Sequence, residues 1–545
     1  MNGWVVFFVA LIVAQRVPIL EAVTATVYLD VDRTLNIMNR NYASFNIDSS
    51  YNRAFFHINF TNPNLRAVAS SLRPATLRFG GTGNDLLTYG TISHPCDSAL
   101  LDSCTTTSST SKKDACCMNV THWNHFSQFI DDIGADLLFG VSFDMISACE
   151  EGSIYEWSDA NVREWLLEVA LSEHHLGHFY GFELGNEVNN NGDICNLTAK
   201  QQARAFSKFK YLLEEIYPDP NVRPRLVGPD TGYKNAESWL VEFLGNASSL
   251  EVYLHACTHH VYPGVNLHNW NLSDTLDRIR GGDIEWYSST IREHAPWAEM
   301  WAGENGPVGG GEDGTCDASS GLSACGTFAT VPWYADDMAL RAQNGFHQFQ
   351  RQDLLGARYG LVGIEHDDEF LDGNSAVVLS PNFWVNYFWK RTVGNRVIDA
   401  TVQGTISDDD YHVYGDEYAN ASSTIRAYGF MGEPPSPWPA VSAHDCSGSY
   451  GSCATLLLVN LGVQSSDIQI KSTLGDAKRT ISWSLSHGEN GVNSTDVDVN
   501  GVPMIRVVSN GSFPSSTLPV EGNTRDGAGL TIPPQSVSFV VVWFL

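Results

Sequence analysis

The chain has 545 residues, 62 acidic against 32 basic, and a net charge of −30. So acidic a surface argues against nucleic acid and anionic membranes as partners, because both need a positive face. The length exceeds one compact domain, and 43% hydrophobic with 11% aromatic content excludes a disordered chain.

The apolar run from Trp4 to Ala14, followed by Ala22 and Ala25, predicts a signal peptide over 1–24, although no Lys or Arg precedes the run. The competing reading is a buried N-terminal strand. The run is too short to span a bilayer, and no later one is long enough. Residues 25–40 open on an alternating strand, which is expected to join a C-terminal sheet. From 41 to 395, strand-like runs (75–79, 136–142, 179–184, 225–227, 252–261, 299–302, 360–364) alternate with helical stretches (123–133, 159–170, 199–216, 235–244). These are examples of strand and helix alternating eight times over about 350 residues, which predicts a (β/α)8 barrel. A doubly wound sheet competes, but no Gly-x-Gly-x-x-Gly follows the first strand. From 396 to 545 helical periodicity disappears. Runs at 411–414, 424–428, 455–460, 468–470, 504–508 and 537–543 predict a β-sandwich.

Eight Asn-x-Ser/Thr sequons (Asn59, Asn119, Asn196, Asn246, Asn271, Asn420, Asn493, Asn510) predict a glycosylated, exported surface. The 11 cysteines include close pairs at Cys96/Cys104, Cys316/Cys325 and Cys446/Cys453, irregular for zinc and suited to loop disulfides of open connectivity. The number is odd, and Cys257, in a strand-like segment, is expected to be a buried free thiol. The Ser/Thr-rich stretch 105–113 reads as an exposed loop.

Two segments carry chemistry. In Gly181-Phe-Glu-Leu-Gly-Asn-Glu187 an apolar strand ends in Asn186 and Glu187, and barrel strand ends point into the active site. A carboxylic acid there can protonate a glycosidic oxygen, while Asn186 can bond the sugar 2-OH. Glu183 shares the side-chain parity of Glu187. The competing reading is a helix N-terminal pair with Glu favoured by the dipole. In Glu299-Met-Trp-Ala-Gly-Glu304 a second apolar strand ends in a carboxylate, followed by Gly309, Gly310 and Gly311. Alone, Glu304 could be structural; together with Glu187, on a strand about three βα units away, it predicts a retaining pair with Glu187 as general acid/base and Glu304 as nucleophile.

With these residues in view the chain resembles the heparanase-like β-glucuronidases of glycoside hydrolase family 79. The resemblance rests on an ordered set: Leu72-Arg-Pro-Ala-Thr-Leu-Arg-Phe-Gly-Gly-Thr-Gly-Asn-Asp85 after the second barrel strand, Phe182–Glu187, His259-His-Val-Tyr262 on the sixth, Gly303-Glu304 and the following glycines, the eighth-strand region 351–361, and Pro381-Asn-Phe-Trp384 running on to Gly394. It implies that Asp85 lines the uronic-acid subsite and that Asn186 binds the 2-OH. It further implies that Tyr262 orients the nucleophile, and that Tyr359 with backbone amides near Gly309 and Gly310 binds the C6 carboxylate by charge-assisted hydrogen bonds. For Tyr262 and Tyr359 a core tyrosine is the competing reading. His260 reads as a satisfied strand histidine, and no cofactor or metal is expected.

The chain also departs from the family. Arg358 stands where Asn is usual, placed to grip the substrate carboxylate or to form a structural ion pair. The segment after the fifth strand, Gly228-Pro-Asp-Thr-Gly-Tyr-Lys-Asn-Ala-Glu-Ser, has a single Lys where animal heparanases are basic, and 263–270 has neither Lys nor Arg. A groove for sulfated glycosaminoglycan is therefore poorly supported. The 96–117 region is shorter than the linker that animal heparanases excise, so no obligatory two-chain maturation is expected. The expected activity is cleavage of β-linked glucuronic acid from glycans or proteoglycans, in an extracellular or lysosome-like acidic setting. A retaining barrel glycosidase on neutral β-glycosides, or an inactive carbohydrate-binding relative, are the alternatives.

Overall fold

The computed structural model describes residues 23–49, 54–98, 116–171, 179–263, 283–307, 324–355, 359–364, 375–403, 424–435, 453–513 and 520–544. Residues 1–22 of the expected signal peptide, the stretch 105–113, the run 411–414, and Gly309, Gly310 and Arg358 lie outside the described residues, whereas Val23 and Thr24 already belong to the first strand.

The first strand, β1 (Val23–Ile37), precedes eight that close into a parallel barrel in sequence order: β2 (Ala43–Asp48), β3 (Thr76–Gly80), β4 (Asp136–Val141), β5 (Phe179–Leu184), β6 (Arg225–Thr231), β7 (Ala256–Val261), β8 (Glu299–Asn305) and β9 (Phe346–Arg351). Helices wrap the barrel between strands: α1 (Pro63–Ser70), α2 (Val120–Ile133), α3 (Ala160–Trp165), α4 (Val188–Cys195), α5 (Ala199–Ile216), α6 (Ala236–Ser249), α7 (Asp283–His294), α8 (Val331–Gln343) and α9 (Pro381–Thr392). Local chemistry sets their ends. Thr198 and Gln201 form a capping box at the start of α5, and Gly134 closes α2 in the left-handed conformation at φ 64.

Two strand expectations need correction. The run at 360–364 is not a barrel strand; Val362–Ile364 pairs with Val377–Leu379 in a separate small sheet. The eighth barrel strand is β9, whose inward residues Gln348 and Gln350 are fully buried polar groups, so it shows no apolar run. The expected strand at 504–508 shrinks to Val507–Val508 and pairs with Val377–Leu379, away from the large C-terminal sheet. Cys257 is a buried free thiol, its pKa pushed up to about 12 by burial. Among the described cysteines Cys96 pairs with Cys117, not with Cys104, and Cys149 with Cys195, the next cysteine along the chain.

The C-terminal part is a 12-stranded sheet into which β1 is woven, antiparallel to β10 (Arg396–Gln403) and parallel to β13 (Ser466–Ser472). Between and beyond them run β11 (Ile425–Met431), β12 (Cys453–Asn460), β14 (Arg479–His487), β15 (Gly529–Ile532) and β16 (Ser536–Trp543). Period-2 alternation divides its faces. Val27, Leu29, Leu456, Ile468 and Val540 form the sheet's own core. Tyr428, Phe430, Leu457 and Phe539 turn the other way and join the core of the barrel helices.

Candidate active site

The barrel interior sorts by height. Leu138, Val227, Ala256 and Trp301 plug its lower layer. Above them the inward positions turn polar, and Arg78 of β3 sits at the centre with its side chain 1% exposed. Its Nε donates to Glu183 Oε2 at 2.6 Å and its Nη1 to Glu304 Oε1 at 2.8 Å. Its Nη2 donates to Asn186 Oδ1 at 3.0 Å and to Asp230 Oδ2 at 3.1 Å.

The strand ends bring Glu187 and Glu304 together. Strict alternation from the inward Trp301 would turn Glu304 outward. A register shift between Ala302 and Glu304 breaks the alternation and swings the carboxylate back inside. On β5 the chain leaves the sheet at Gly185 (φ 79) and turns at Glu187, itself left-handed at φ 49. Such a conformation costs a non-glycine residue on the order of 1–3 kcal/mol and is found at functional sites. Glu187 does stand at the N-terminus of α4, as the competing reading had it, but its side chain caps nothing. Instead Oε1 meets His260 Nδ1 at 3.1 Å and Oε2 accepts from Asn190 Nδ2 at 2.5 Å. Glu187, His260 and Glu304 each place one polar atom within 4.8 Å of the other two.

Around Glu304 the donors converge. Tyr262 Oη donates to its Oε2 at 2.6 Å, and His260 Nδ1 lies 3.5 Å from the same oxygen. Burial alone would raise the Glu304 pKa, but the His260 imidazolium, the Arg78 guanidinium and the Tyr262 hydroxyl outweigh it and hold the carboxyl below its ordinary value. Burial likewise opposes a charged His260, yet Glu304, Asp230 and Glu187 raise its pKa to about 10. Burial also works against Asp230, and Arg78 and His260 hold it low; Glu183 is pushed up by burial and by Asp230, against Arg78. The three-residue cluster has the spacing of a cation site, but a metal there would have to displace the proton that Glu304, Asp230 and Glu187 favour on His260 and compete with Arg78 and Tyr262 for the Glu304 oxygens.

Asp85, expected in the sugar subsite, is 2% exposed and spends its oxygens on backbone: Oδ1 accepts Phe143 N–H at 2.9 Å and Oδ2 accepts Asn186 N–H at 2.8 Å. It anchors the end of β5, and burial raises its pKa to about 7. Asn186 commits its amide oxygen to Arg78 and to Gly81 N–H at 3.2 Å. Tyr359 is buried beside Tyr262: a Cβ on Gly306 would come within 2.7 Å of the Tyr262 ring and 3.3 Å of the Tyr359 ring. The Tyr359 carbonyl accepts from Arg351 Nη2 at 2.9 Å, and that guanidinium lies over its ring.

Sequence reasoning missed Arg78 and Asp230 and set His260 aside as a core residue, whereas His260 bridges both glutamates and Asp230 (3.3 Å). A signal existed: Arg78 is a charge inside the apolar strand Thr76-Leu-Arg-Phe-Gly80, and a charge is almost never buried unless paired.

A closed parallel barrel with paired carboxylates at its strand ends, backed by a β-rich C-terminal domain, defines the class of the barrel glycoside hydrolases. The family model described as Glycosyl hydrolase family 79, N-terminal domain, matches residues 24–339, more than half of the chain, which therefore belongs to that family. The chain is 24% identical to baicalin-beta-D-glucuronidase of Scutellaria baicalensis over 65% of both chains, so it spans just under two thirds of that relative. It is 22% identical to heparanase-like protein 2 of Arabidopsis thaliana over 90% of this chain and 86% of the other, and 23% identical to heparanase of Bos taurus over 94% and 90%. Among solved structures, a 4-O-alpha-L-rhamnosyl-beta-D-glucuronidase from Fusarium oxysporum 12S superposes with TM-score 0.61 at 11% identity, covering 95% of this chain and 99% of that one. A GH51 arabinofuranosidase from Xanthomonas axonopodis pv. citri does so with TM-score 0.60 at 12% identity, covering 95% and 100%. These structural likenesses show the fold.

Proposed function

We propose that the protein is a secreted, retaining β-glucuronidase in which Glu304 is the nucleophile and Glu187 the general acid/base. The observation that carries the reading is the carboxylate pair, whose oxygens approach within 4.8 Å. Retaining enzymes hold their two carboxyl groups about 5–5.5 Å apart, whereas inverting ones leave room for a water at about 6.5–9.5 Å. In the first step a Glu304 oxygen attacks the anomeric carbon while protonated Glu187 gives its proton to the departing glycosidic oxygen. In the second, Glu187 takes a proton from water, whose oxygen displaces Glu304 and regenerates both groups. Arg78, His260 and Tyr262 favour ionised Glu304, which this sequence requires.

The glucuronic-acid specificity rests on the family and on the names of two relatives, a baicalin-beta-D-glucuronidase and a heparanase. We place the C6 carboxylate near Tyr359, with Arg358 and the amides of Gly309 and Gly310 as its further partners, and the 2-OH at Asn186. Secretion is supported by the bridges Cys96–Cys117 and Cys149–Cys195, which persist in oxidising compartments.

The test is hydrolysis of a chromogenic aryl β-glucuronide by the purified protein, with Glu187→Gln and Glu304→Gln. Glu304→Gln is expected to abolish turnover. Glu187→Gln is expected to lose about 10²–10⁴-fold on poor leaving groups and far less on activated aryl glucuronides, which need little acid assistance. Cleavage of an aryl β-glucoside but not of the glucuronide would keep the mechanism and replace the substrate. Turnover surviving in Glu304→Gln would remove the assignment.

A further inference from the structure

Outside the carboxylate pair, a cavity of about 520 Å³ lies between the segment after β6 and the start of α7. It shares His260 and Tyr262 with the catalytic site, and those two residues touch both glutamates. It is also lined by Tyr233, His259 and Trp286, and by the carboxylate-bearing Glu237 and Asp283. The volume suits one or two rings. Tyr233 is 77% exposed, a large ring offered to solvent. Trp286 makes an edge contact with His259 at 4.9 Å, and His259 stacks on Tyr287 at 5.4 Å.

The sugar that reacts must sit over Glu304, with its uronate toward Tyr359 near the end of β9. The departing oxygen must meet Glu187, which His260 contacts from the side of β6 and β7. The cavity therefore lies on the leaving-group side of the scissile bond. Its charge is one-sided. Among the described residues that line it there is no Lys or Arg; Asp283 is paired with Arg341 at 2.9 Å, and Glu237 is exposed. Lys234, next to Tyr233, donates its Nζ to the Asn190 carbonyl at 3.2 Å, with the same atom 5.9 Å from the Tyr233 ring centroid, so its charge is shared with that carbonyl and ring.

The geometry points to this cavity as a leaving-group subsite that takes an uncharged ring, stacked on Tyr233 and Trp286, and rejects a sulfated one. The inference rests on the glycosidase reading above and adds what stands on the far side of the bond. A ring face against Tyr233 and Trp286 gains dispersion and apolar burial, whereas a sulfate beside Glu237 would meet a like charge, with no Lys or Arg among the described residues that line the cavity.

The experiment compares kcat/KM for methyl, neutral aryl and sulfated aryl β-glycosides of whichever sugar the protein cleaves, glucuronide first. Taking each variant relative to the unmodified protein cancels the intrinsic reactivity of the leaving groups. Tyr233→Ala is expected to lower kcat/KM about tenfold on the neutral aryl substrate and less than about twofold on the methyl one. Glu237→Lys is expected to narrow the preference for the neutral over the sulfated aglycone. Tyr211→Ala, an exposed tyrosine on α5, leaves every ratio unchanged and controls for surface effects. Equal losses on methyl and aryl substrates, or equal turnover of neutral and sulfated aglycones by the unmodified protein, would overturn the subsite. Turnover of neutral glycosides in place of glucuronides fails the uronate reading alone, because the same ratios are then read on that sugar. No turnover of any β-glycoside overturns both.

Discussion

At the scale of single residues, the site is organised by two cations. Arg78 serves three carboxylates at once, and His260 touches Glu187, Asp230 and Glu304. Replacing Arg78 by Met strands Glu183, Asp230 and Glu304 in the barrel without a counter-charge. Removing one partner of a buried ion pair costs about 3–5 kcal/mol, and a loss of that size is expected in denaturant unfolding, together with loss of turnover. His260 makes a pH-dependent contribution. It titrates at its ordinary 6.5 when unfolded and at about 10 when folded, so the native state holds the extra proton between those values. The stability it confers is complete below about pH 6.5 and is lost as pH rises through 10. His260→Gln is expected to flatten the fall in Tm between those limits. It also removes a charge that holds Glu304 low, so the acidic limb of kcat/KM against pH should move to higher pH. A limb that stays in place would show that His260 does not act on Glu304. Glu187 and Glu304 were legible in the sequence because each ends an apolar strand. Arg78, Asp230 and His260 were not, because their partners lie on other strands, more than 100 residues away for Arg78.

At the scale of elements, Glu187 and Glu304 are aimed by departures from regular strand geometry. The irregularity at Gly303 turns Glu304 inward, and a Cβ there would stand 3.1 Å from Thr258 and 3.2 Å from Asp230 and His260. Gly185 lets the chain turn from β5 into Asn186 and Glu187. A side chain at its φ of 79 is strained, and its Cβ would meet Val188 Cγ2 at 2.7 Å and Phe143 Cβ at 3.2 Å. Gly185→Ala is expected to cost about 1–3 kcal/mol in urea unfolding and to lower kcat through a displaced Glu187. An unchanged kcat would uncouple the turn from the proposed acid/base. The helix at 199–216 was read residue for residue, since its capping box and periodicity are local signals. Strand β9 was missed because its inward glutamines face a polar barrel interior, and period-2 reading searches for an apolar face.

At the scale of the molecule, barrel and C-terminal sheet share one hydrophobic core. Phe388 of α9 stacks on Phe539 of β16 at 5.9 Å, Trp389 meets Phe430 of β11 at 5.2 Å, and Tyr428 Oη donates to Asp336 of α8 at 2.5 Å. Helices that would flank a free-standing barrel are here buried under the sheet. Phe539→Ala, at the far end of the chain, is expected to cost about 3–5 kcal/mol and to lower the thermal midpoint of glycosidase activity together with that of the sheet's circular dichroism. Two separate transitions, with only the sheet shifted, would show that the units unfold independently.

Local pattern was sufficient for the barrel alternation, the β-rich C-terminal part and the two terminal glutamates, because helix caps, period 2 and strand-end carboxylates are written within a few residues of one another. Only the folded chain decided that Arg78 pairs with Glu304 and His260 with both of those glutamates, that Asp85 anchors backbone, and that Tyr233 and Trp286 line one cavity. Each of these depends on distances between strands that closure of the barrel sets, and no window of sequence contains them.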